Sequence, residues 1–304
     1  MKRVSRGVRL AASVGVALLL GGSCAAVAAG VPVKWYLAVA GANCGEVVAA
    51  ELPVIAAPAQ LPAGARPPAQ PLSERVASFR FAGPVIKCQP LYQWLSAATQ
   101  GTVNRVDVSI TAADYNSQLV LSTSFFQAAV TQIEVPALDV SGKDLGTLQV
   151  RFESSSTRHM SMQGPVPATL RSLPVAGGAW TTSGYRLVLG ALDGKAVTHI
   201  DPLTIRMAVS PGVPMARVAA NLQFVVEGQA AVEAYARLAS LQAKPGAPLL
   251  PASLELLAPN GKVVYTFVFP DVSITKFASG RDAKGLNGAV TLSASRVYIQ
   301  YAPQ

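Results

Sequence analysis

The fold class expected from the sequence is mainly β: two tandem antiparallel β-sandwich or barrel domains, each with one short flanking helix. Three observations lead there. Val106–Thr111 alternates apolar and polar residues with period two, and comparable runs follow at Leu119–Leu121, Ala129–Val135 and Gly146–Phe152; such runs form strands with one buried face. Turn-forming groups separate them, at Asp114–Ser117, Gln127–Ala128 and Asp139–Asp144, so four strands are expected between residues 106 and 152. A weaker version of the same order of elements returns after residue 184.

Taken in order, Lys34–Ala40 reads as a strand broken by Gly41 and Gly45, and Glu46–Ile55 as a second, cut short by Pro53. The stretch 56–71 is rich in alanine and proline, with Pro58, Pro62, Pro67, Pro68 and Pro71. Proline donates no ladder hydrogen bond, so an extended loop is expected there. Val76–Phe81 resumes a strand with Phe79 and Phe81 on one face. Leu91, Trp94, Leu95 and Ala98 recur at i, i+3, i+4 and i+7, which predicts a helix over 90–98 with a core-facing stripe. Residues 154–183 begin with Ser154-Ser155-Ser156-Thr157, are punctuated by Pro165, Pro167 and Pro174, and contain Gly177-Gly178. This is the expected linker between domains.

The pattern then restarts. Glycines stand five and nine residues after Tyr36 and again after Tyr185. Leu203–Val209 and Arg217–Val226 read as strands, and 228–243 as a helix with Val232, Tyr235, Ala236 and Ala239 on one side. Leu254–Leu257, the turn Ala258-Pro259-Asn260-Gly261 and Lys262–Phe269 make a hairpin. Ser273–Phe277, a Gly/Asp/Lys loop over 280–288 and a final strand over 289–301 complete the copy. We read an internal duplication with a period of roughly 147 residues, too long for a solenoid repeat. The expected organisation is a signal peptide over 1–28, a first domain over 32–153, a linker over 154–183 and a second domain over 184–304, each domain burying its own apolar interior.

Composition narrows the function classes. The 304 residues are 51% hydrophobic and only 13% charged, so core material is ample and titratable groups are few. The formal charge of +9 includes Lys2, Arg3, Arg6 and Arg9; without them 21 basic residues face 16 acidic ones. The remaining cations are scattered singly, which speaks against nucleic-acid binding. The basic start, the apolar run Val8–Leu20 and the small residues 23–29 read as a secretory signal, cleaved after Ala25 or Ala28. The rival reading is an uncleaved anchor, because apolar residues continue to Val33. A lipid-modified Cys24 is disfavoured by Gly21. Beyond this segment no membrane association is expected, and the protein is expected to be exported, to the periplasm or outside the cell.

With Cys24 removed, Cys44 and Cys88 remain. They form either one disulfide, as an even pair in an oxidising compartment does, or two buried thiols acting as small hydrophobes.

Little in the chain resembles catalytic machinery. His159-Met160-Ser161-Met162 offers an imidazole and soft sulfurs suited to Cu(I), set against the commoner case of a linker histidine beside packing methionines. His199-Ile200-Asp201 offers half of an acid–base pair, set against the commoner case of a strand-end histidine near a turn aspartate, and no serine or cysteine stands in a nucleophile motif. Gly41–Gly45 and Gly190–Gly194 lack the Lys-Ser/Thr and the helix of a phosphate loop, and read as turns. Asp139–Asp144 and Gly280–Gly288 lack alternating calcium ligands. Trp35, Trp94 and Trp180 are sugar-stacking candidates, although Trp94 lies on the apolar helix stripe. No catalytic, metal or cofactor-binding residue is therefore assigned, and no cofactor is expected.

One resemblance is carried by Pro90-Leu91-Tyr92-Gln93-Trp94-Leu95, by Arg105–Ile110 with the Asp114–Ser117 turn, by Phe125-Phe126-Gln127-Ala128, by Pro136-Ala137-Leu138-Asp139, and by the Leu148–Glu153 strand. In these the chain resembles the tail-tube protein family of contractile phages, which includes the haemolysin-coregulated tube proteins of type VI secretion. The similarity covers 35–153 and is more dilute over 185–301. It implies two packed antiparallel sheets with a flanking helix, and a non-enzymatic structural role. It further implies self-association, either a ring or a trimer presenting six domains about one axis. Other tail-like or envelope proteins are the implied partners, in a virion or tail-like particle. The signal segment and the proline-rich loop differ from that family. They lead to the alternative, an exported periplasmic or surface module that binds a ligand or metal at 159–162 or in the interdomain cleft.

Overall fold

The computed structural model describes residues 34–53, 70–82, 88–170, 179–190, 192–209, 216–244, 246–282 and 285–301. The first half contains β1 (Lys34–Val39), β2 (Ala42–Val47), β3 (Ala49–Glu51), β4 (Val76–Phe81), α1 (Gln89–Thr99), β5 (Val106–Ala113), β6 (Leu119–Val135), β7 (Leu138–Asp139), β8 (Leu148–Glu153) and β9 (Ser156–Ser161). The second contains β10 (Tyr185–Leu189), β11 (Leu192–Asp193), β12 (Val197–Ile200), β13 (Leu203–Ala208), β14 (Arg217–Glu227), α2 (Gln229–Gln242), β15 (Leu250–Leu257), β16 (Val263–Asp282), β17 (Gly285–Ala294) and β18 (Tyr298–Tyr301). The fold is mainly β, every strand pair is antiparallel, and two α-helices are present among the described residues.

The two halves share one pairing pattern, down to the register. Ile110 faces Thr123 across β5 and β6, and Leu254 faces Phe267 across β15 and β16, each residue 144 positions on. The β-bulges move by the same step: Val106/Val108 becomes Leu250/Ala252, Ala112/Ala113 becomes Leu256/Leu257, and Val130/Gln132 becomes Ile274/Lys276. A bulge bends and twists its strand and re-aims the residues beyond it, so three matching bulges give both units the same curvature. The pairs β1–β2, β1–β5, β3–β4, β4–β8, β6–β8 and β6–β9 recur as β10–β11, β10–β15, β12–β14, β14–β17, β16–β17 and β16–β18. In this register Val39 matches Leu189, because Val39 faces Ala42 as Leu189 faces Leu192. Trp35 therefore corresponds to Tyr185, one residue away from the alignment that the tyrosine–glycine spacing gave. A one-residue step exchanges the two faces of a strand: Leu37 and Leu187 point inward, and Tyr36 belongs to a separate small cluster with Leu119 and Val166.

Four expectations of the strand pattern need correction. The last strand, expected over 289–301, is two, β17 and β18, separated at 295–297. The runs at 119 and 129 are one strand, not two: at Gln127 (φ 51°) β6 leaves the sheet of β5 and β9 and enters that of β8 and β13. A polar residue in a left-handed conformation reads as a turn, but here it is a corner. The loop expected over 280–288 is instead a ribbon, with Gly280 facing Asn287 and Arg281 facing Leu286. Residues 156–161 of the expected linker form β9, equivalent to β18, so the first unit extends to Ser161. Trp180, from the same stretch, is fully buried over Gly146.

Separate interiors are also not what forms. The sheet runs β3-β4-β8-β6-β13-β14-β17-β16 through both units, because Val135 and Gln132 of β6 face Leu203 and Arg206 of β13. One contiguous apolar cluster extends from Leu37 to Ile299. Edge-to-edge joining places the inner faces of the two units side by side, and burying both together leaves less apolar surface in water.

The signal segment 1–28 and most of the proline-rich loop 56–71 lie outside the described residues. Among the described residues no helix is long and apolar enough to cross a membrane.

Gly146 is a sensitive point. A Cβ there would overlap the Trp180 indole, and the Gly146 N–H donates to the Trp180 carbonyl at 2.9 Å. Gly146→Ala is expected to lower stability by about 1–3 kcal/mol, the usual cost of overpacking, read as an earlier denaturant midpoint with an unchanged m-value.

Candidate functional site

The residues singled out in the sequence divide into structural staples and surface groups that do not converge. Cys44 in β2 and Cys88, the residue capping α1, form a disulfide with Cα atoms 4.8 Å apart. It ties the helix to the first hairpin across a sequence separation of 44. Leu91, Trp94, Leu95 and Ala98 of α1 are buried as their spacing requires. In α2 only Val232 and Tyr235 are. Trp94 meets Phe152 edge-on at 5.7 Å and donates its indole N–H to the Asn104 carbonyl at 3.0 Å, while Tyr235 meets Phe224 at 5.5 Å. Trp94 and Trp180 are both fully buried, and Trp35 packs partly buried against the core, so the three indoles form no sugar-binding platform.

The His159–Met162 group does not assemble as a soft-metal set. His159 and Met160 are neighbours in β9, and successive side chains of a strand point to opposite faces. His159 Nδ1 lies 2.7 Å from Thr123 Oγ1, whereas Met160 is exposed to solvent. Burial holds the His159 pKa below its usual value, partly offset by a hydrogen bond to the Pro53 backbone.

His199 lies at the boundary between the units. Its Nδ1 is 3.2 Å from Asp139 Oδ2 and its Nε2 3.2 Å from Asp201 Oδ1. Asp139 also accepts from the Ser141 hydroxyl and from the Ser141 N–H, the latter at 2.8 Å. These Ser141 bonds, then His199, hold the Asp139 carboxyl below its ordinary value. The Tyr185 phenol donates to the Val197 carbonyl at 3.2 Å, and burial with the nearby Asp139 charge pushes its pKa up. Neither Ser141 nor any other described side chain is placed as a nucleophile on His199; the cluster clasps β7 to β12, where His199 faces Asp139 and Ile200 faces Leu138.

What sequence reasoning missed is the junction itself. Beside the strand seam, α1 lies against β18: Tyr92 stacks on Tyr301 with centroids 3.9 Å apart, its hydroxyl is 3.4 Å from that of Tyr265, and Phe81 meets the Tyr265 ring edge-on at 6.4 Å. Burial, then Tyr92, raises the Tyr265 pKa well above its ordinary value. The cleft between the units is thus closed by aromatic rings, leaving an outer groove of about 510 Å³ bordered by Gln93, Gln100 and Gln300. No signal in the sequence pointed to it: Tyr92, Tyr265 and Tyr301 are three of eight scattered tyrosines, and only the fold brings these amphipathic rings together.

With this geometry established, comparison with known proteins adds little. No protein-family model and no curated protein matches the chain. Among solved structures, the anti-feeding prophage cap, described as a tube terminating cap, is similar at 15% identity and a TM-score of 0.29, covering 47% of this chain and 95% of that one.

Two outcomes are expected. Cys44→Ser should lower stability by about 2–4 kcal/mol, the loop-closure contribution of a bridge of this span, measured by denaturant titration with and without reductant. Because the folded-state pKa of Asp139 is depressed below 3.8, its stabilising contribution is present above that value and lost as pH falls through the lower folded value. Asp139→Asn should therefore lower stability at pH 7, where that contribution is fully present, and flatten part of the acid limb of a stability–pH profile, so that variant and parent converge at low pH.

Proposed function

We propose that the chain is a structural subunit that catalyses no reaction and assembles with copies of itself into a tail-like ring or rod, two tandem units per chain favouring a trimer with six units about one axis. One observation carries the reading. The two units are joined edge to edge by continuous backbone pairing at β6–β13, with β7–β12 extending it, and a unit that completes its sheet by adding a neighbour is suited to repetition. The resemblance of residues 35–153 to tube proteins agrees with this. Where such an assembly would form, in an envelope or in a tail-like particle, depends on whether 1–28 directs export.

The test is the mass of the purified chain by light scattering over a concentration series, with negative-stain microscopy of the same samples. A fixed multiple of 31.5 kDa with rings or rods is expected. A single-chain mass throughout would sink the reading.

A further inference from the structure

One histidine is held between acids contributed by the two units. His199 of β12 stands opposite Asp139 of β7. Its Nδ1 lies 3.2 Å from Asp139 Oδ2 and its Nε2 3.2 Å from Asp201 Oδ1. A carboxylate oxygen accepts but does not donate, and a neutral imidazole has one N–H and one bare lone pair. Either neutral tautomer therefore bonds one acid and turns a lone pair toward the other. The imidazolium donates to both. The ring is 35% exposed, so protons from solvent reach it.

We propose that His199 is a proton-operated clasp on the seam between the units. Charged, the ring bonds Asp139 of the first unit and Asp201 of the second at once. Neutral, it keeps one of those bonds, and the two acids face each other without a cation between them. The β7–β12 junction then loosens. It is short enough to respond: two residue pairs, His199 with Asp139 and Ile200 with Leu138, and the Val140 N–H donating to the Thr198 carbonyl at 3.2 Å.

The groups on the packed elements set the direction of the response. β14 places Val225 opposite His199, and its Glu227 accepts from Thr198 Oγ1 at 3.1 Å. Tyr185 of β10 donates to the Val197 carbonyl, and its raised pKa, caused by burial and then Asp139, keeps it uncharged throughout. Lys143 and Asp144 after β7, and Lys195 before β12, are exposed. Imidazole changes charge between about pH 5 and about pH 8, and the clasp closes as pH falls through that range. Asp139 is held below 3.8, chiefly by its Ser141 bonds, so its charge persists until lower pH. The seam is therefore tightest in mild acid and loosens toward the alkaline side.

The full chain has two histidines, so the imidazole signal missing from His199→Gln is that of His199. Nitrogen-15 spectra of the parent from about pH 5 to about pH 8 should show both ring nitrogens protonated on the acid side and one on the alkaline side. Exchange of the Val140 amide, compared at equal pH, should be roughly two- to fivefold faster in His199→Gln than in the parent in mild acid, the span expected of exposed ion pairs. That ratio should fall toward one on the alkaline side, and in an Asp139→Asn chain it should no longer depend on pH. A His199 ring whose protonation stays fixed across the range, or an exchange ratio that does not change with pH, overturns the clasp. The parent's own spectrum decides the matter even where a variant does not fold.

Discussion

The structure depends on one strand that belongs to two sheets. β6 pairs with β5 and β9 up to Ala128, turns at Gln127, and from Ala129 onward pairs with β8 and β13. A strand that changes sheets forces the sheets to meet at a corner, and the corner here is fixed from both sides. The bulge at Val130/Gln132 re-aims the second half, and the Asp107 carboxylate accepts the Gln127 N–H at 2.9 Å. Val135 then reaches β13, so the corner in the first unit decides where the second unit is attached. Losing the bend would detach the units as well as distort one of them.

The two units are copies in backbone but not in chemistry. Leu121, Thr123, His159 and Ser161 of the first correspond to Tyr265, Phe267, Ile299 and Tyr301 of the second. The second set is aromatic and aliphatic because α1 lies on it, with Tyr92 against Tyr265 and Tyr301. The first set is more polar: its buried Thr123 is satisfied by His159 rather than by apolar packing. A buried hydroxyl without a partner costs roughly 1–3 kcal/mol, so the polar pair is retained or replaced as a pair. Divergence of this kind at the face that meets the neighbour lets the first unit's helix pack on the second unit's strands.

Much of this was legible in the sequence, for identifiable reasons. The alternation at 106–111, the helical stripe at Leu91, Trp94, Leu95 and Ala98, and the Asn260-Gly261 hairpin each reflect one face meeting apolar surroundings, which side chains record directly. The continuity of β6 was not, because Gln127 is read as a turn unless the partners on both sides of it are known. The place of 154–161 was hidden for a similar reason: β9 is short and mostly exposed, with Thr157 its buried residue, so it carries almost no hydrophobic pattern. The seam was invisible altogether. Strand edges are joined by backbone groups that every residue except proline possesses, and nothing in Gln132–Val135 or Leu203–Arg206 distinguishes an edge that pairs from one that faces water. The disulfide stood between two readings until the fold brought β2 to the start of α1.

The central claim is that the seam makes the two units one cooperative body. Amide hydrogen exchange tests it directly, because protection reports the free energy of opening at each N–H. The account predicts that amides paired between 132–135 and 203–206 are protected to the same extent as those within β5–β6. Seam amides exchanging orders of magnitude faster than the strands on either side would contradict it, and would make the units separate bodies in contact.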